Sequence, residues 1–262
     1  KLLDGKLAKY LDGNDENAEG LSYALKIVIN IVYGLTSASF PNQFRDNRNK
    51  DNIVAKRGAL FMIDLKHFVQ EKGFSVAHIK TDSIKIPEAT EEIINDVIEF
   101  GKTYGYDFEH ETTYSKFCLV NDAVYIAKDK DKWVAVGAQF QHPYVFKTLF
   151  TKEPIEFDDL CETKNVTQGS MWLSFPDGTE QHVGRTGSFV PVLYDGGSLY
   201  RRKDDKDYAV TGTKGYQWIE RTAAIGRLEL DTEFVDYSYF EQLKENAESA
   251  INYYTLLDKF VM

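Results

Sequence analysis

Two short strings in the early part of the chain carry side chains able to hold charged ligands. Lys26, Asn30 and Tyr33 lie in Lys26-Ile27-Val28-Ile29-Asn30-Ile31-Val32-Tyr33-Gly34, and Asp82 lies in His78-Ile79-Lys80-Thr81-Asp82-Ser83. At about 100° per residue, Lys26, Asn30 and Tyr33 fall within about 60° of one another on a helix. An ammonium, an amide and a phenol then stand in one line. Ammonium and amide donors suit an anion such as phosphate, and a carboxylate suits a divalent cation. Taken singly, the trio reads as the polar side of an amphipathic helix and Asp82 as a turn former.

The line requires a helix, and residues 18–36 supply its pattern, with Leu21, Leu25, Val28, Val32 and Leu35 forming one apolar stripe. Residues 2–12 repeat the spacing with Leu3, Leu7, Tyr10 and Leu11 until Gly13-Asn14-Asp15 breaks it. The two segments predict an antiparallel helical hairpin. Residues 40–57 are polar and read as a loop. A helix follows over 58–72, ended by Gly73. Segments 74–79 and 83–86 read as strands around the turn Lys80-Thr81-Asp82, and Pro87 stops the second. Then come a helix over 91–104 and strands near 107–113, 116–120 and 123–128. This order predicts an α+β fold, with helices on one face of an antiparallel sheet. Beyond residue 129 the chain is mixed, with short strand-like runs between Gly, Thr and Ser turns. It closes on a helix over 233–261 whose stripe is Phe240, Leu243, Ala247, Ile251, Tyr254, Leu257 and Val261.

The 262 residues are 43% hydrophobic and 27% charged, the balance of an ordinary globular protein with room for one large or two modest domains. No apolar run is long enough to cross a membrane, and no signal-peptide pattern is present. The net charge of −10 opposes nucleic-acid binding in general, but local clusters decide. Basic residues gather at Arg45, Lys56 and Arg57, and again at Arg201-Arg202-Lys203. Cys118 and Cys161 show no zinc spacing and are expected as reduced thiols. The opening Lys1-Leu2-Leu3-Asp4-Gly5 lacks a starting Met and reads as the middle of a longer protein.

A Lys-x-x-x-Asn-x-x-Tyr-Gly helix followed closely by a Thr-Asp-Ser hairpin resembles the nucleotide- and metal-binding motifs of family-B (alpha-like) DNA polymerases. The departures from the common pattern, together with Gly137-Ala138-Gln139-Phe140-Gln141-His142-Pro143-Tyr144 and Val210-Thr211-Gly212-Thr213-Lys214-Gly215-Tyr216, look like the bacteriophage branch. The resemblance covers most of the chain and is specific in 26–34 and 78–86. It implies fingers made of a helical hairpin (1–40), a palm sheet carrying a metal-binding Asp (41–128) and a mixed α/β thumb (129–262).

By that resemblance Asp82 is the catalytic, Mg2+-binding carboxylate, in an enzyme that uses two such ions. Lys26 and Asn30 contact the triphosphate of an incoming deoxynucleotide, while Tyr33 and Gly34 face the nascent base pair. Lys80, Thr81, Ser83 and Tyr125 meet primer-template DNA. The other partner is the remainder of the polymerase chain, and the setting is the cytoplasm of a bacterial host, with no membrane. The reaction is template-directed transfer of a deoxynucleotide to a primer 3′-hydroxyl. Ile31 stands where the family has Ser, Lys80 replaces the hairpin's first Asp, His78 replaces its leading Tyr, and Asp122-Ala123-Val124 stand where basic residues precede Tyr125. The family's upstream Asp-x-x-Ser-Leu-Tyr-Pro-Ser motif is absent before the fingers helix. Asp195-Gly196-Gly197-Ser198-Leu199-Tyr200 mimics it at the wrong place and reads as a Gly-rich turn between strands. The fragment is therefore expected to be inactive alone. The alternative is a non-catalytic nucleic-acid-binding module. A carbohydrate-active enzyme is a third reading, without an acidic pair to support it.

Overall fold

The computed structural model of the chain describes residues 16–210, 215–219 and 232–262. The fold is α+β, with antiparallel sheets and helices. It divides into two compact units, residues 1–110 and 111–262. The expected first helix, over 2–12, lies outside the described residues.

The first unit contains α1 (Glu16–Thr36), a 3-10 turn (Asn47–Asn52), α2 (Ile53–Glu71), β1 (His78–Lys80), β2 (Ser83–Lys85) and α3 (Glu91–Thr103). Helix α2 buries Phe61, Met62, Leu65 and Val69, spaced along one face, against Ile93 and Val97 of α3. The Phe61 ring also lies 5.1 Å from that of Tyr104 and 4.6 Å from that of Tyr106, and Phe68 stacks on Phe100 at 4.5 Å. Gly73 ends α2 as expected: it takes φ +88°, and the Phe74 N–H reaches back to the Val69 carbonyl at 3.2 Å. The Thr90 hydroxyl opens α3 by accepting from the Ile93 N–H at 3.4 Å, with Glu91 and Glu92 in the first turn and Lys102 in the last.

The expected loop over 40–57 is shorter than its polarity implied. Asp46 accepts the Arg48 N–H at 2.9 Å, and buried Asn49 donates to the Thr36 hydroxyl at 2.7 Å and accepts from the Val54 N–H at 3.3 Å. These side-chain bonds fold the polar stretch into a turn, so α2 begins at Ile53 rather than near 58.

The second unit opens with the antiparallel sheet β3 (Tyr114–Asn121), β4 (Val124–Asp129) and β5 (Lys132–Val136). The strand expected at 107–113 does not form, and those polar residues are irregular up to Tyr114. After α4 (Ala138–Gln141) and α5 (Pro143–Phe146), which runs into a π turn (Lys147–Thr151), seven strands follow. They are β6 (Glu162–Asn165), β7 (Ser170–Ser174), β8 (Glu180–Gly184), β9 (Thr186–Pro191), β10 (Ser198–Lys203), β11 (Lys206–Ala209) and β12 (Tyr216–Ile219). They build one sheet in the order β11-β10-β7-β8 and another in the order β12-β9-β6. Met171, Leu173, Phe189, Leu199 and Tyr216 from both sheets share one core cluster.

Instead of one closing helix there are two, α6 (Tyr237–Asn252) and α7 (Leu257–Val261). The Asn252 side chain accepts the Leu257 N–H at 2.8 Å and starts α7 afresh. Ala247, Ile251, Leu257 and Phe260 still join Ile126, Trp133, Phe140 and Phe150 in the core, whereas Tyr254 is turned out of the stripe and is 56% exposed.

Candidate functional site

Strands β1 and β2 pair with the register His78↔Lys85, Ile79↔Ile84 and Lys80↔Ser83, so Thr81 and Asp82 alone form the turn. Ile79 and Ile84 face the α2–α3 core. By the alternation of a strand, Lys80 and Ser83 then belong to the opposite face. The Ser83 hydroxyl donates to the Lys80 carbonyl at 3.2 Å and closes the tip. Thr81 holds φ +53°, a left-handed conformation that a β-branched residue adopts at a cost. Asp82 is exposed, and its carboxylate has no hydrogen-bond or ion-pair partner among the described residues. Magnesium is commonly held by one or two carboxylates together with substrate phosphates, and a free carboxylate at a hairpin tip fits that donor set. No group of three or more His, Cys, Asp or Glu side chains suited to a metal occurs among the described residues.

Lys26, Asn30, Tyr33 and Gly34 all lie on α1 and are exposed. Lys26 and Asn30 have no side-chain partner among the described residues, while the Tyr33 hydroxyl donates to the Asn52 side-chain carbonyl at 3.3 Å. A Cβ added at Gly34 meets nothing within 4 Å, so the helix surface is open there. The apolar stripe expected to seat α1 is only half realised. Val32 and Leu35 are half-buried, but Leu21 (51%), Leu25 (38%) and Val28 (53%) are exposed, as are Ile27, Ile29 and Ile31 on other sides.

The structure of the family B DNA polymerase from the hyperthermophilic archaeon Pyrobaculum calidifontis matches with a TM-score of 0.44 and 14% identity, covering 94% of this chain and 35% of the polymerase. The chain thus spans about a third of the length of that protein. No protein-family model matches the chain, and no curated protein does.

The second unit holds Tyr125, expected at the DNA surface. It is buried instead (8% exposed), between Leu119 and Val136 in the β3–β4–β5 ladder, with its ring 5.1 Å from that of Phe117. Its cross-strand partners flank the ring, a setting that the resemblance in sequence does not show. The Asp195 string covers the end of the β9–β10 connection and the start of β10: Asp195 takes φ +56°, and a Cβ at Gly196 would lie 2.4 Å from the Gly215 backbone. That agrees with the turn reading of its glycines.

Sequence reasoning missed a nearly buried carboxylate at the centre of a polar cluster in this unit. Glu162 on β6 is nearly buried and accepts from Tyr216 and Tyr239 hydroxyls at 2.5 Å each and from the Lys164 ammonium at 2.8 Å, with the His142 imidazole at 3.6 Å. Burial pushes the Glu162 carboxyl up, but these donors outweigh it and hold the group far below the usual carboxylate range. Burial, then the bond to Glu162, pushes the Tyr239 phenol up to about 12 and Tyr216 higher still. The signal lay in the two strings already quoted, 137–144 and 210–216, which supply His142 and Tyr216.

Proposed function

We propose that the chain is the fingers, palm and thumb portion of a bacteriophage family-B DNA polymerase, acting in the host cytoplasm, with fingers in 1–40, palm in 41–128 and thumb in 129–262. The observation that carries the reading is the Thr81–Asp82 tip, where an exposed carboxylate with no partner among the described residues crowns a two-residue hairpin turn. It stands in the same unit as an exposed ammonium and amide on α1.

In this reading Asp82 would hold magnesium, which neutralises triphosphate charge and polarises the reacting phosphoryl group. Lys26 and Asn30 grip the triphosphate tail as cation and donor. Tyr33, tethered through its hydroxyl to Asn52, offers its ring to the new base pair, and the absent side chain of Gly34 lets that pair approach. Lys80, Thr81 and Ser83 offer donors to the primer backbone, and Tyr125 supports the β3–β4 surface from beneath. The second metal ion requires carboxylates from the remainder of the polymerase.

The test is primer extension by the intact enzyme. Asp82→Asn should abolish extension while leaving primer-template affinity within about twofold; extension at the wild-type rate overturns the reading. One observation favours the alternative, a non-catalytic nucleic-acid-binding module: Arg201 stacks over Tyr208 at 4.6 Å on the β10–β11 hairpin, a cation–aromatic pairing common at strand-binding surfaces. In that case neither Asp82→Asn nor magnesium removal changes anything measurable.

A further inference from the structure

Arg201 and Arg202 are neighbours on β10 with opposite fates. Alternation sends them to opposite faces of the β11-β10-β7-β8 sheet. The Arg202 guanidinium is fully engaged: it bonds Asp207 at 2.8 Å and Glu180 at 3.2 Å, and lies 4.9 Å from the Trp172 ring centre. Arg201 is half-buried, yet no carboxylate pairs with it among the described residues. Its guanidinium lies over the Tyr208 ring directly across the hairpin, 4.6 Å from the guanidinium carbon to the ring centre. A half-buried cation with no counter-ion among the described residues is a natural place for an incoming anion.

The pair forms one wall of a cleft of about 330 Å³. The rest of the lining is Asn165 at the end of β6 with Val166 and Thr167 of the turn that follows, which ends at Gly169 (φ +74°). A Cβ at Gly169 would lie 2.2 Å from the Arg202 carbonyl oxygen, so the turn is seated directly on β10. The two walls are therefore fixed relative to each other within the second unit. The lining is a guanidinium, a phenol, an amide and a hydroxyl over a floor containing Val166 and Val210. The cleft is open to solvent on its outer side, so a single nucleotide can lie across it.

We propose that this cleft is a subsite for single-stranded nucleic acid. It takes one phosphodiester on Arg201, with Asn165 and Thr167 as further donors and the Tyr208 ring and apolar floor beside the adjoining sugar and base. The stacked ring fixes the plane of the guanidinium, which leaves its N–H edges for phosphate oxygens. The inference rests on the nucleic-acid reading above but not on any metal chemistry at Asp82.

The test uses the 262-residue chain and a fluorescein-labelled oligothymidylate, read by fluorescence anisotropy at several salt concentrations. Arg201→Ala should weaken binding by about five- to tenfold and lower the salt slope by about 0.7, the value for one phosphate on a single strand. Tyr208→Ala should weaken it by about threefold or more. Lys206→Ala removes a charge from the same hairpin and should change affinity less than twofold. Thymidine monophosphate should compete and inorganic phosphate should compete more weakly. If Arg201→Ala does not fold, Arg201→Gln is judged by the same criteria. Equal losses from Arg201→Ala and Lys206→Ala, an unchanged Arg201→Ala, or a chain that binds no oligonucleotide each overturn the proposal. Oligonucleotide binding that depends on Arg201, alongside full extension by the Asp82→Asn intact enzyme, would sink the metal reading and leave this one standing.

Discussion

Thr81 sits where glycine would be easiest. Its φ of +53° crowds the branched Cβ against the following carbonyl, and a non-Gly residue so placed costs of order 1–2 kcal/mol. Thr81→Gly regains that cost but loses some chain entropy in the unfolded state. The expected outcome is a fold more stable by about 0.5–1 kcal/mol, read as a higher midpoint in chemical denaturation. If the tip serves extension, the same variant should slow the intact enzyme. Tyr33 separates the two properties the other way. The hydrogen bond from its hydroxyl to Asn52 is exposed and contributes about 1 kcal/mol at most. Tyr33→Ala should therefore leave the denaturation midpoint nearly unchanged while raising the misincorporation frequency of the intact enzyme. An unchanged error rate removes Tyr33 from the base-pair surface.

At the scale of the elements, those that rest on local chemistry were readable and those that rest on remote packing were not. The α2 and α3 ends follow from Gly73, Gly105 and Thr90, each of which acts within a few residues of itself. Thr90→Ala should accordingly cost about 1 kcal/mol and Thr90→Ser much less, measured by equilibrium unfolding. The broken C-terminal helix was not readable, because an unbroken stripe fits 233–261 equally well. What divides it is Asn252 capping Leu257 and Tyr254 reaching the Val120 carbonyl at 3.3 Å, a contact across 134 positions. The burial of Tyr125 was not readable for the same reason: the resemblance names a residue, and neighbouring strands decide what covers it. Gly169 is the opposite extreme, a residue with no sequence signature whose place is forced by a 2.2 Å approach to β10. Gly169→Ala combines that clash with a positive φ and should destabilise by about 2 kcal/mol or more.

Over the whole molecule, the candidate site was legible because its residues fall in two short strings, whereas the Glu162 cluster draws on four separate stretches of chain. That cluster sets an expected pH response. The folded-state pKa of Glu162 is depressed, so its contribution is present above the unfolded value, near 4.3, and is lost as pH falls through the folded value. The phenols of Tyr216 and Tyr239 have raised folded pKa values, so theirs is intact below about 10 and lost as pH climbs beyond it. Thermal midpoints should decline on the acid side below about pH 5 and on the alkaline side above about pH 10. Glu162→Gln should flatten the acid limb while lowering the plateau, because the Lys164 ammonium then loses its anion. A steep acid limb that survives Glu162→Gln assigns it to other carboxylates.

Bare hydrocarbon around α1 has a practical outcome for anyone handling the protein. Leucine, isoleucine and valine side chains standing in water on several sides of one helix invite self-association, and lyotropic salts such as ammonium sulfate strengthen that tendency. Light scattering should rise with sulfate concentration and fall when Leu21, Val28 and Ile31 are replaced together by glutamine. The helix that displays Lys26 would then also govern how concentrated a solution of this polypeptide can be made.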